Sequence, residues 1–347
     1  MTYSYRVSIK DIAKTAGVSY STVSRALHDS PLISQEVREQ IQKIAESMGY
    51  SPNALAQGLQ AKRTNSVGLV ITTISDPFFA DIVNGVEEEA KKAGISVFLA
   101  TTRNDPDEEI KIIETFSRRR VDGVIVASSR IDTGYANRLE QIHIPVIMVN
   151  TESEEGNFIY SASVNNFTGA CQGVNHLIEL GHRRIGYLGV SNRLVSNKQR
   201  LEGYLDTLKK NTIDVDPAWI IINKETSPGE LSLDFKIGQE LGSEILKTDI
   251  TAVFCYCDTI AAGVMETCRR RGFSIPQQMS VVGFDDNFIC EILYPPLTTI
   301  HQPEKEIGQK AMQMILKCLA GDDVEDILLD PHLVIRESTA HPYNRSN

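Results

Sequence analysis

The sequence predicts an α/β protein that combines a small all-α head with two doubly wound parallel-sheet lobes. Three observations support this prediction. Apolar residues recur at helical spacing through the first 50 residues, strand-like apolar runs alternate with helical patterns from Ser66 onward, and the alternation runs through two successive units. We therefore expect a head over 1–50, a short helix and linker over 51–65, and a two-lobed domain over 66–340.

The head is predicted to contain three helices. The first begins after Ser8, which has capping-box spacing with Asp11, and Gly17 permits a sharp turn after it. The second begins after Ser19 and the third after Ser34, because serine is a favourable N-cap residue. The apolar residues expected to face one another across these helices are Ile9, Ile12, Ala13, Val23, Ala26, Leu27, Val37, Ile41, Ile44, Ala45 and Met48.

The linker has the sequence YSPNALAQGLQAKRTN. Pro52 is a suitable first residue for a helix, and NALAQGLQA is long enough for about two turns. So short a helix is marginal in water, and Gly58 weakens it further. We expect a conditional helix that forms only when something binds it; a plain flexible linker is the alternative.

The remaining chain alternates between strand and helix patterns. The predicted strands are 66–72, 95–102, 121–128, 144–150, 183–190, 218–222, 252–257 and 279–286. The predicted helices are 76–94 (Asp76 or Ser75 as N-cap, Pro77 first), 106–119, 135–141, 166–180, 198–210, 230–246 and 258–271. We expect a first lobe over about 66–162 plus 294–322 and a second over about 163–293 plus 323–340, with a ligand cleft at the strand ends between them.

Charge is unevenly distributed along the chain. Residues 1–65 carry a balance of +3 and the remainder −13, which together make the net charge of −10. A basic head suits an anionic partner, and an acidic body is repelled from non-specific contact with it. The chain lacks an apolar run of about 18 residues and a secretory signal pattern, so we expect a cytoplasmic protein without membrane contact.

The six cysteines do not form a metal-binding or redox pattern. No two have CxxC spacing, and no histidine lies at zinc-finger spacing from them, so we predict no metal site. Cys255 and Cys257 lie in an apolar run and are expected to be strand residues. Buried free thiols are the simplest interpretation of this pattern in a reducing compartment.

A helix, a glycine turn and a second helix form the plan of the helix-turn-helix motif, whose second helix enters the major groove of DNA. On the predicted helix 19–27, the apolar residues face inward while Tyr20, Ser21 and Arg25 project outward. Small hydroxyls permit close approach to phosphates, and arginine is the commonest reader of guanine. The pattern therefore favours DNA binding; a small helical bundle with a capped surface helix is the alternative.

The stretch KDIAKTAGVSYSTVSRALH and the later GYSPNALAQGLQAKRTNSVGLV closely resemble the lactose-repressor/galactose-repressor family of bacterial transcription regulators. The likeness continues through SDPFF, VDGVIVAS, HLIELGHRRIGYLG, AVFCYCDTIAAGVM, SVVGFDD and LTTIHQP, and it covers residues 8 to about 338. The resemblance implies a helix-turn-helix head joined by a hinge helix to two lobes of the periplasmic-binding-protein type.

The resemblance also assigns DNA contacts by position. The implied base-reading residues are Tyr20, Ser21 and Arg25, the implied phosphate neighbours are Ser19, Thr22 and Ser24, and the implied hinge contacts are Asn53, Ala56 and Leu59. A hinge helix over 53–60 would pair with its partner on operator DNA and insert Leu59 into the minor groove, as apolar wedges do. Packing of Leu59 on its own linker is the alternative. Ala54 stands where some members carry a basic residue, so fewer hinge contacts are expected.

Family members bind a small effector between their lobes. The matching positions here are Asp76, Phe78, Phe79, Asn150, Arg200, Asp258 and Gln302. This set suits a polyol, since aromatic faces stack on a sugar ring and polar side chains bond its hydroxyls. The alternatives are that the two phenylalanines belong to the core, that Asp258 caps its helix, and that Arg200 lies at the surface.

Two departures from the family pattern bear on the effector. Asn150 replaces the aspartate common in sugar-responsive members, and Leu194 and Ser196 do not reproduce the purine-responsive pattern. We therefore expect a sugar or sugar derivative rather than a nucleobase. A phosphorylated partner protein is also known as a corepressor in this family.

The sequence thus predicts a DNA-binding transcriptional regulator, most simply a repressor, that binds a palindromic operator as a homodimer and needs no cofactor. Enzyme signatures such as G-x-S-x-G, G-x-x-x-x-G-K-[ST], H-E-x-x-H and G-x-G-x-x-G are absent from the sequence. An enzyme is thus the first alternative to a regulator, and a periplasmic-type sugar-binding protein is the second. The attached head argues against the sugar-binding protein.

The predicted wedge can be tested by the substitution Leu59→Ala. We expect the variant to lose roughly tenfold or more in affinity for a specific operator duplex, because the kinked base step is no longer stabilised. Its salt-dependent binding to unrelated DNA should be nearly unchanged. Fluorescence anisotropy on both duplexes measures the two affinities, and an equal loss on both would contradict the wedge.

Overall fold

The structure is a computed structural model that describes residues 7–50, 63–103, 105–127, 144–150, 159–191, 194–224 and 231–342. The chain divides into two compact units, Met1–Thr64 and Asn65–Asn347, and each is described by itself. The predicted hinge helix over 53–60 and the predicted helix over 135–141 lie outside the described residues.

Three helices form the described part of the head. They are α1 (Ile9–Ala16), α2 (Tyr20–Leu27) and α3 (Gln35–Ser47). The predicted capping box is present: the Ser8 amide donates to the Asp11 carboxylate at 2.8 Å, and the Ser8 side chain accepts from the Asp11 amide. Gly17 ends α1 in the left-handed region, with φ of 67°. Ser34 precedes α3 but makes no side-chain cap hydrogen bond.

The three helices bury one small apolar core. Its buried members are Ile12, Ala13, Val23, Ala26, Ile41 and Ala45. The other apolar residues that the sequence predicts for this core pack around it half-buried; they are Ile9, Leu27, Val37, Ile44 and Met48. The helical periodicity therefore predicted the core-facing side of each helix correctly.

The second unit begins with a six-stranded parallel sheet, which defines the first lobe. Its strands are β1 (Ser66–Ile71), β2 (Ser96–Thr101), β3 (Gly123–Ala127), β4 (Val146–Val149), β5 (Ile159–Val164) and β11 (Ile327–Leu329). Their order across the sheet is β11-β5-β4-β3-β1-β2. Helices α4 (Pro77–Lys92) and α11 (Glu304–Ala320) cover one face, and α5 (Pro106–Arg118) covers the other. Strand β1 is buried along its whole length because both faces are covered.

The second lobe is built on a four-stranded parallel sheet with the order β7-β6-β8-β9. Its strands are β6 (Ile185–Val190), β7 (Ile220–Asn223), β8 (Ala252–Cys255) and β9 (Ser280–Val282). Its helices are α6 (Asn166–Glu179), α7 (Leu194–Lys210), α8 (Leu231–Ile245), α9 (Asp258–Arg270) and the short α10 (Ile289–Ile292). Helices α6 and α7 pack on one face of the sheet, and α8 and α9 pack on the other.

The chain crosses between the lobes at residues 164–166, 301–304 and 329–332, and these crossings correct the predicted lobe boundaries. Thr298 bridges to β9, so the segment before the second crossing belongs to the second lobe and not to the first. Strand β11 pairs with β5, so it belongs to the first lobe and not to the second. After the third crossing, β12 (His332–Val334) pairs antiparallel with β10 (Thr299–His301) in the second lobe.

The structure also differs from the prediction within several elements. Strand β5 and helix α11 were not predicted, and α7 begins at Leu194 rather than at 198. Cys257 is not a strand residue, because it precedes α9 as the N-cap. All six cysteines are free; Cys171 and Cys318 are half-buried and the other four are buried. No helix among the described residues is long and apolar enough to cross a membrane.

Candidate functional site

Helix α2 presents a polar surface on the side away from the head core. Tyr20, Ser21 and Arg25 are exposed, and the Tyr20 side chain is 56% exposed. The predicted phosphate neighbours differ from one another: Ser19 is exposed, whereas Thr22 and Ser24 are half-buried. The structure therefore places the three implied base-reading residues together on the accessible face. Asn53, Ala56 and Leu59 lie outside the described residues.

Ser19 has a structural role in addition to its position on that face. Its hydroxyl accepts from the Thr22 amide at 3.2 Å, and it lies 2.8 Å from the hydroxyls of Ser21 and Thr22. The side chain is therefore the N-cap of α2, as the sequence predicted. This cap fixes the helix start from which Tyr20 and Ser21 project.

A cavity lies between the two lobes at the carboxyl ends of their strands. Counted together with the open space at its mouth, it measures about 580 Å³. Its described lining residues are Asp76, Phe78, Phe79, Ala127, Val149, Asn150, Ser196, Arg200, Asp234, Tyr256, Cys257, Thr259, Asp285 and Gln302. Six of the seven predicted effector residues are in this set, and Asp258 is not.

The two phenylalanines contribute differently to the cavity. Phe79 is only 3% exposed and packs in the core of the first lobe, whereas Phe78 is half-buried. Their rings meet edge to face, with centroids 5.1 Å apart. Asp76 accepts from the Phe78 amide at 3.1 Å and thereby caps α4. Phe78 therefore offers the more accessible aromatic face, held in place by Phe79 and by the cap.

Arg200 is held rigidly at the inner end of the cavity. Its guanidinium carbon lies 3.6 Å from the ring centroid of Phe284 and 4.5 Å from that of Tyr256. Nε donates to the Asn166 side-chain oxygen at 2.9 Å, and Nη1 donates to the Tyr256 carbonyl. Nη1 also lies 3.7 Å from the Asp285 carboxylate. The side chain is 3% exposed, so the alternative of a surface arginine is wrong.

A chain of hydrogen bonds runs from Asp285 across to the first lobe. Gln302 Nε2 donates to Asp285 Oδ1 at 2.6 Å, and Asn150 Nδ2 donates to Gln302 Oε1 at 3.3 Å. The Asn150 Oδ1 atom in turn accepts from the Val164 amide at 3.1 Å. Burial raises the pKa of Asp285 well above its usual range, and the Arg200 charge opposes that increase. The predicted residues Asn150, Arg200 and Gln302 thus belong to one connected polar network.

Asp258 does not line the cavity, so its predicted position there is wrong. It is fully buried and accepts from the Thr299 hydroxyl at 2.5 Å and from the Asn287 amide at 3.0 Å. The alternative that it caps its helix is also wrong, because Cys257 is the N-cap of α9. Its chain neighbours Cys257 and Thr259 line the cavity instead.

Several lining residues were not in the predicted effector-binding set, although Ser196 was compared with the purine-responsive pattern; they are Ser196, Asp234, Tyr256, Cys257, Thr259 and Asp285. Tyr256 and Asp285 follow strands β8 and β9. The general rule that ligands bind at the carboxyl ends of strands therefore predicts that both line the cavity. Ser196 lies on α7, and its hydroxyl lies 2.7 Å from the Tyr256 hydroxyl. No local pattern distinguishes Ser196 or Asp234 from an ordinary helix residue.

The comparisons with known proteins agree with this architecture. Residues 8–53 match the family described as bacterial regulatory proteins, lacI family, and residues 174–339 match the periplasmic binding protein-like domain. The ribose operon repressor of Haemophilus influenzae is 33% identical over 340 residues, which cover 95% of this chain and 98% of that protein. The repressor CytR of Escherichia coli is 32% identical, and the match covers 96% of each chain.

Solved structures show the same likeness. The Lac repressor dimer bound to operator and the anti-inducer ONPF has a TM-score of 0.84 at 26% identity, covering 97% of this chain and 100% of that chain. A LacI family regulator from Enterococcus faecium with bound ribose has a TM-score of 0.70 at 28% identity, covering 80% and 99%. The protein is therefore a transcriptional regulator with a helix-turn-helix head and an effector-binding domain. The chain belongs to the LacI family, and the two relatives named above are repressors and not enzymes.

Glu304 lies beside this network, at the start of α11, and its titration can be tested. Burial, together with the nearby Asp285, raises the pKa of its carboxyl to about 10. Between about pH 5 and pH 9 the folded chain therefore keeps a proton that the unfolded chain loses, so stability falls as pH rises.

We expect Glu304→Gln to remove this contribution. The stability of the wild type should decrease relative to the variant by up to about 1.4 kcal/mol per pH unit over this window. Urea unfolding at pH 6, 7 and 8 measures the difference. Glu306→Gln, at an exposed position of the same helix, is the control, and parallel pH profiles for wild type and Glu304→Gln would contradict the assignment.

Proposed function

We propose that this protein is a dimeric repressor that binds a palindromic operator through its head and responds to a sugar or sugar derivative in the interlobe cavity. The observation that carries the proposal is that one chain joins the exposed Tyr20–Arg25 face of α2 to a body whose cavity holds a preorganised Arg200–Asp285 pair. A coupling of about 1–3 kcal/mol between the two sites would change operator affinity by roughly 5–150-fold.

The DNA-binding part of the proposal rests on α2. Tyr20 and Arg25 extend from an accessible face whose small hydroxyls permit close approach to the duplex. The head balance of +3 attracts phosphates, while the body balance of −13 disfavours other contacts with DNA. A dimer would place two such heads on the two half-sites of a palindrome.

Two exposed apolar surfaces support a dimer. Phe98 and Leu99, which are 52% and 46% exposed, lie on the edge strand β2 of the first lobe. Phe288, Ile292 and Tyr294, which are 67%, 72% and 94% exposed, lie on and beside α10 in the second lobe. Exposed apolar edges and patches of this kind are normally covered by another chain. We propose that a second copy covers both, with most of the contact made by the first lobes.

The cavity chemistry supports a polyhydroxylated effector. Its carboxylate, amide and hydroxyl groups can donate to or accept from several hydroxyls, and Phe78 can stack on the C–H face of a ring. Arg200 is already bonded to Asn166 and Tyr256, so it contacts a ligand without reorganising. The related Enterococcus faecium structure holds ribose, and the effector proposed here is a molecule of that class.

Selection from a random duplex library with the purified full-length protein tests the DNA-binding part. We expect enrichment of a palindrome with a flexible pyrimidine–purine step at its centre. Arg25→Ala should reduce affinity for the selected duplex by about 1–3 kcal/mol and relax the preference at one base pair of each half-site. Thr15→Ala, at an exposed position on α1, is the control.

If the selection enriches no duplex, there are two explanations, and a repeat with cell extract separates them. Enrichment restored by cell extract would show that a corepressor, such as a phosphorylated partner protein, is required. No enrichment with either preparation would contradict the assignment of the head as an operator-binding domain.

A thermal-shift panel of pentoses, hexoses, disaccharides and nucleosides tests the effector part. We expect at least one sugar to stabilise the protein and Phe78→Ala to weaken its binding about tenfold, which corresponds to about 1.4 kcal/mol. Phe167→Ala removes an exposed aromatic ring outside the cavity lining and is the matched control. Calorimetry gives the affinities, and a sugar that binds equally well to Phe78→Ala would place the site elsewhere.

A further inference from the structure

Asp258 is a buried carboxylate behind the wall of the cavity. It is fully buried, although Cys257 before it and Thr259 after it both line the cavity. Its amide donates to the Phe284 carbonyl at 2.9 Å, which joins the start of α9 to the strand end that carries Asp285. Its side chain points away from the cavity and into the protein.

The Asp258 carboxylate gathers hydrogen-bond donors from one neighbouring segment. It accepts from the backbone amides of Asp286 and Asn287 and from the Cys290 thiol, as well as from the Thr299 hydroxyl. Burial raises its pKa to about 6, so it is ionised at neutral pH and available as an acceptor. An ionised group at this depth requires such partners, because burying a charge without them is strongly unfavourable.

Three of these donors, Asp286, Asn287 and Cys290, belong to the segment 284–293, which has an unusual backbone. Asp285 and Asp286 are consecutive non-glycine residues with φ values of 118° and 65°. Such conformations are unfavourable for residues with a side chain and persist only where the surroundings enforce them. The amides that Asp258 accepts from belong to the second of these residues and to the residue after it. Asp258 is therefore placed to enforce this backbone.

The same segment has two functional ends. Asp285, at one end, lines the cavity and bonds Gln302. Phe288, Ile292 and Tyr294, at the other end, form an exposed apolar surface. We call this surface the α10 patch. The Asp258 carboxylate packs closely against the residue before this segment, because a Cβ atom at Gly283 would overlap it.

We propose that Asp258 is a positioning residue that couples the effector cavity to the α10 patch. It holds residues 284–293 in one conformation, so that a change at Asp285 is transmitted to the patch rather than absorbed by the loop. The inference rests on the proposed function in one respect, namely that the α10 patch is a subunit contact.

The first experiment measures hydrogen exchange and self-association of the full-length protein. Asp258→Asn places an amide group opposite the backbone and hydroxyl donors. We expect exchange in peptides covering 284–293 to rise at least tenfold while β1 and β3 are unchanged, and the dimer dissociation constant to rise at least tenfold. Thr299→Val, which removes one donor, should act in the same direction with a smaller effect. It also provides the test if Asp258→Asn does not fold.

Asp322→Asn is the matched control, because it makes the same chemical change at an exposed position in the first lobe. It should leave both measurements unchanged. An increase in exchange spread evenly over the second lobe, with no excess in 284–293, would show a merely structural role and overturn the proposal.

The second experiment is a double-mutant cycle between Asp258 and the cavity. Asp285→Asn should change exchange at 287–294 in the wild-type background and have at least threefold less effect in the Asp258→Asn background. Additive effects of the two substitutions would overturn the proposed coupling.

A separate variant distinguishes failure of this inference from failure of the proposed dimer. If Phe288→Asp leaves self-association unchanged, the α10 patch is not a subunit contact, and that part of the proposed function is wrong. The exchange measurements are made at a protein concentration at which every variant is in the same association state, so the cycle between Asp258 and Asp285 still decides whether Asp258 couples the cavity to the patch.

Discussion

The buried guanidinium of Arg200 is the interaction on which the cavity depends. Taking a charge out of water costs several kcal/mol unless the charge is closely partnered, and the partners of Arg200 come from three different parts of the second lobe. Asn166 lies at the start of α6, Tyr256 follows β8 and Asp285 follows β9. The guanidinium therefore fixes where these elements meet, and the aromatic rings of Phe284 and Tyr256 leave it no room to swing away.

Asp285 extends this network beyond the second lobe. Through Gln302 it reaches Asn150 and Val164 at the end of β5, so one line of hydrogen bonds includes residues from both lobes and from two of the crossings. A ligand that bonds any member competes with bonds that set the lobe arrangement. The geometry of the lobes and the occupancy of the cavity are for this reason parts of a single equilibrium.

Long periodic elements were predictable because their signals are local. Ser8 and Asp11 define the start of α1 by themselves, and Asp76 with Pro77 does the same for α4. Strands β10, β11 and β12 have three residues each, too few for a periodic pattern, and Pro303 before α11 provides no side-chain cap. The lobe boundaries were wrong at these places because pairing with distant strands decides them.

The site residues also divide into those that the sequence indicates and those that only tertiary packing brings to the cavity. Phe78, Asn150, Arg200 and Gln302 were predicted by resemblance, and most of the lining lies near the strand ends where cavities of this fold form. Asp258 was placed wrongly because the direction of a side chain in the first turn of a helix depends on what packs beside it, here Thr299 and Asn287. Ser196 and Asp234 are brought to the cavity by tertiary packing alone.

The order of the crossings has a consequence for synthesis of the chain. Helix α11 and strand β11 are close to the C-terminal end of the sequence, yet Ile307, Ala311 and Ile315 fill the core of the lobe that is made first. While a ribosome is still translating the second lobe, the first sheet has an uncovered apolar face, and apolar faces of this kind are prone to aggregation. The small head can already be folded by then, because the residues of its core are close to one another in the sequence. A nascent chain would thus carry a finished DNA-reading module before it acquires the domain that regulates it.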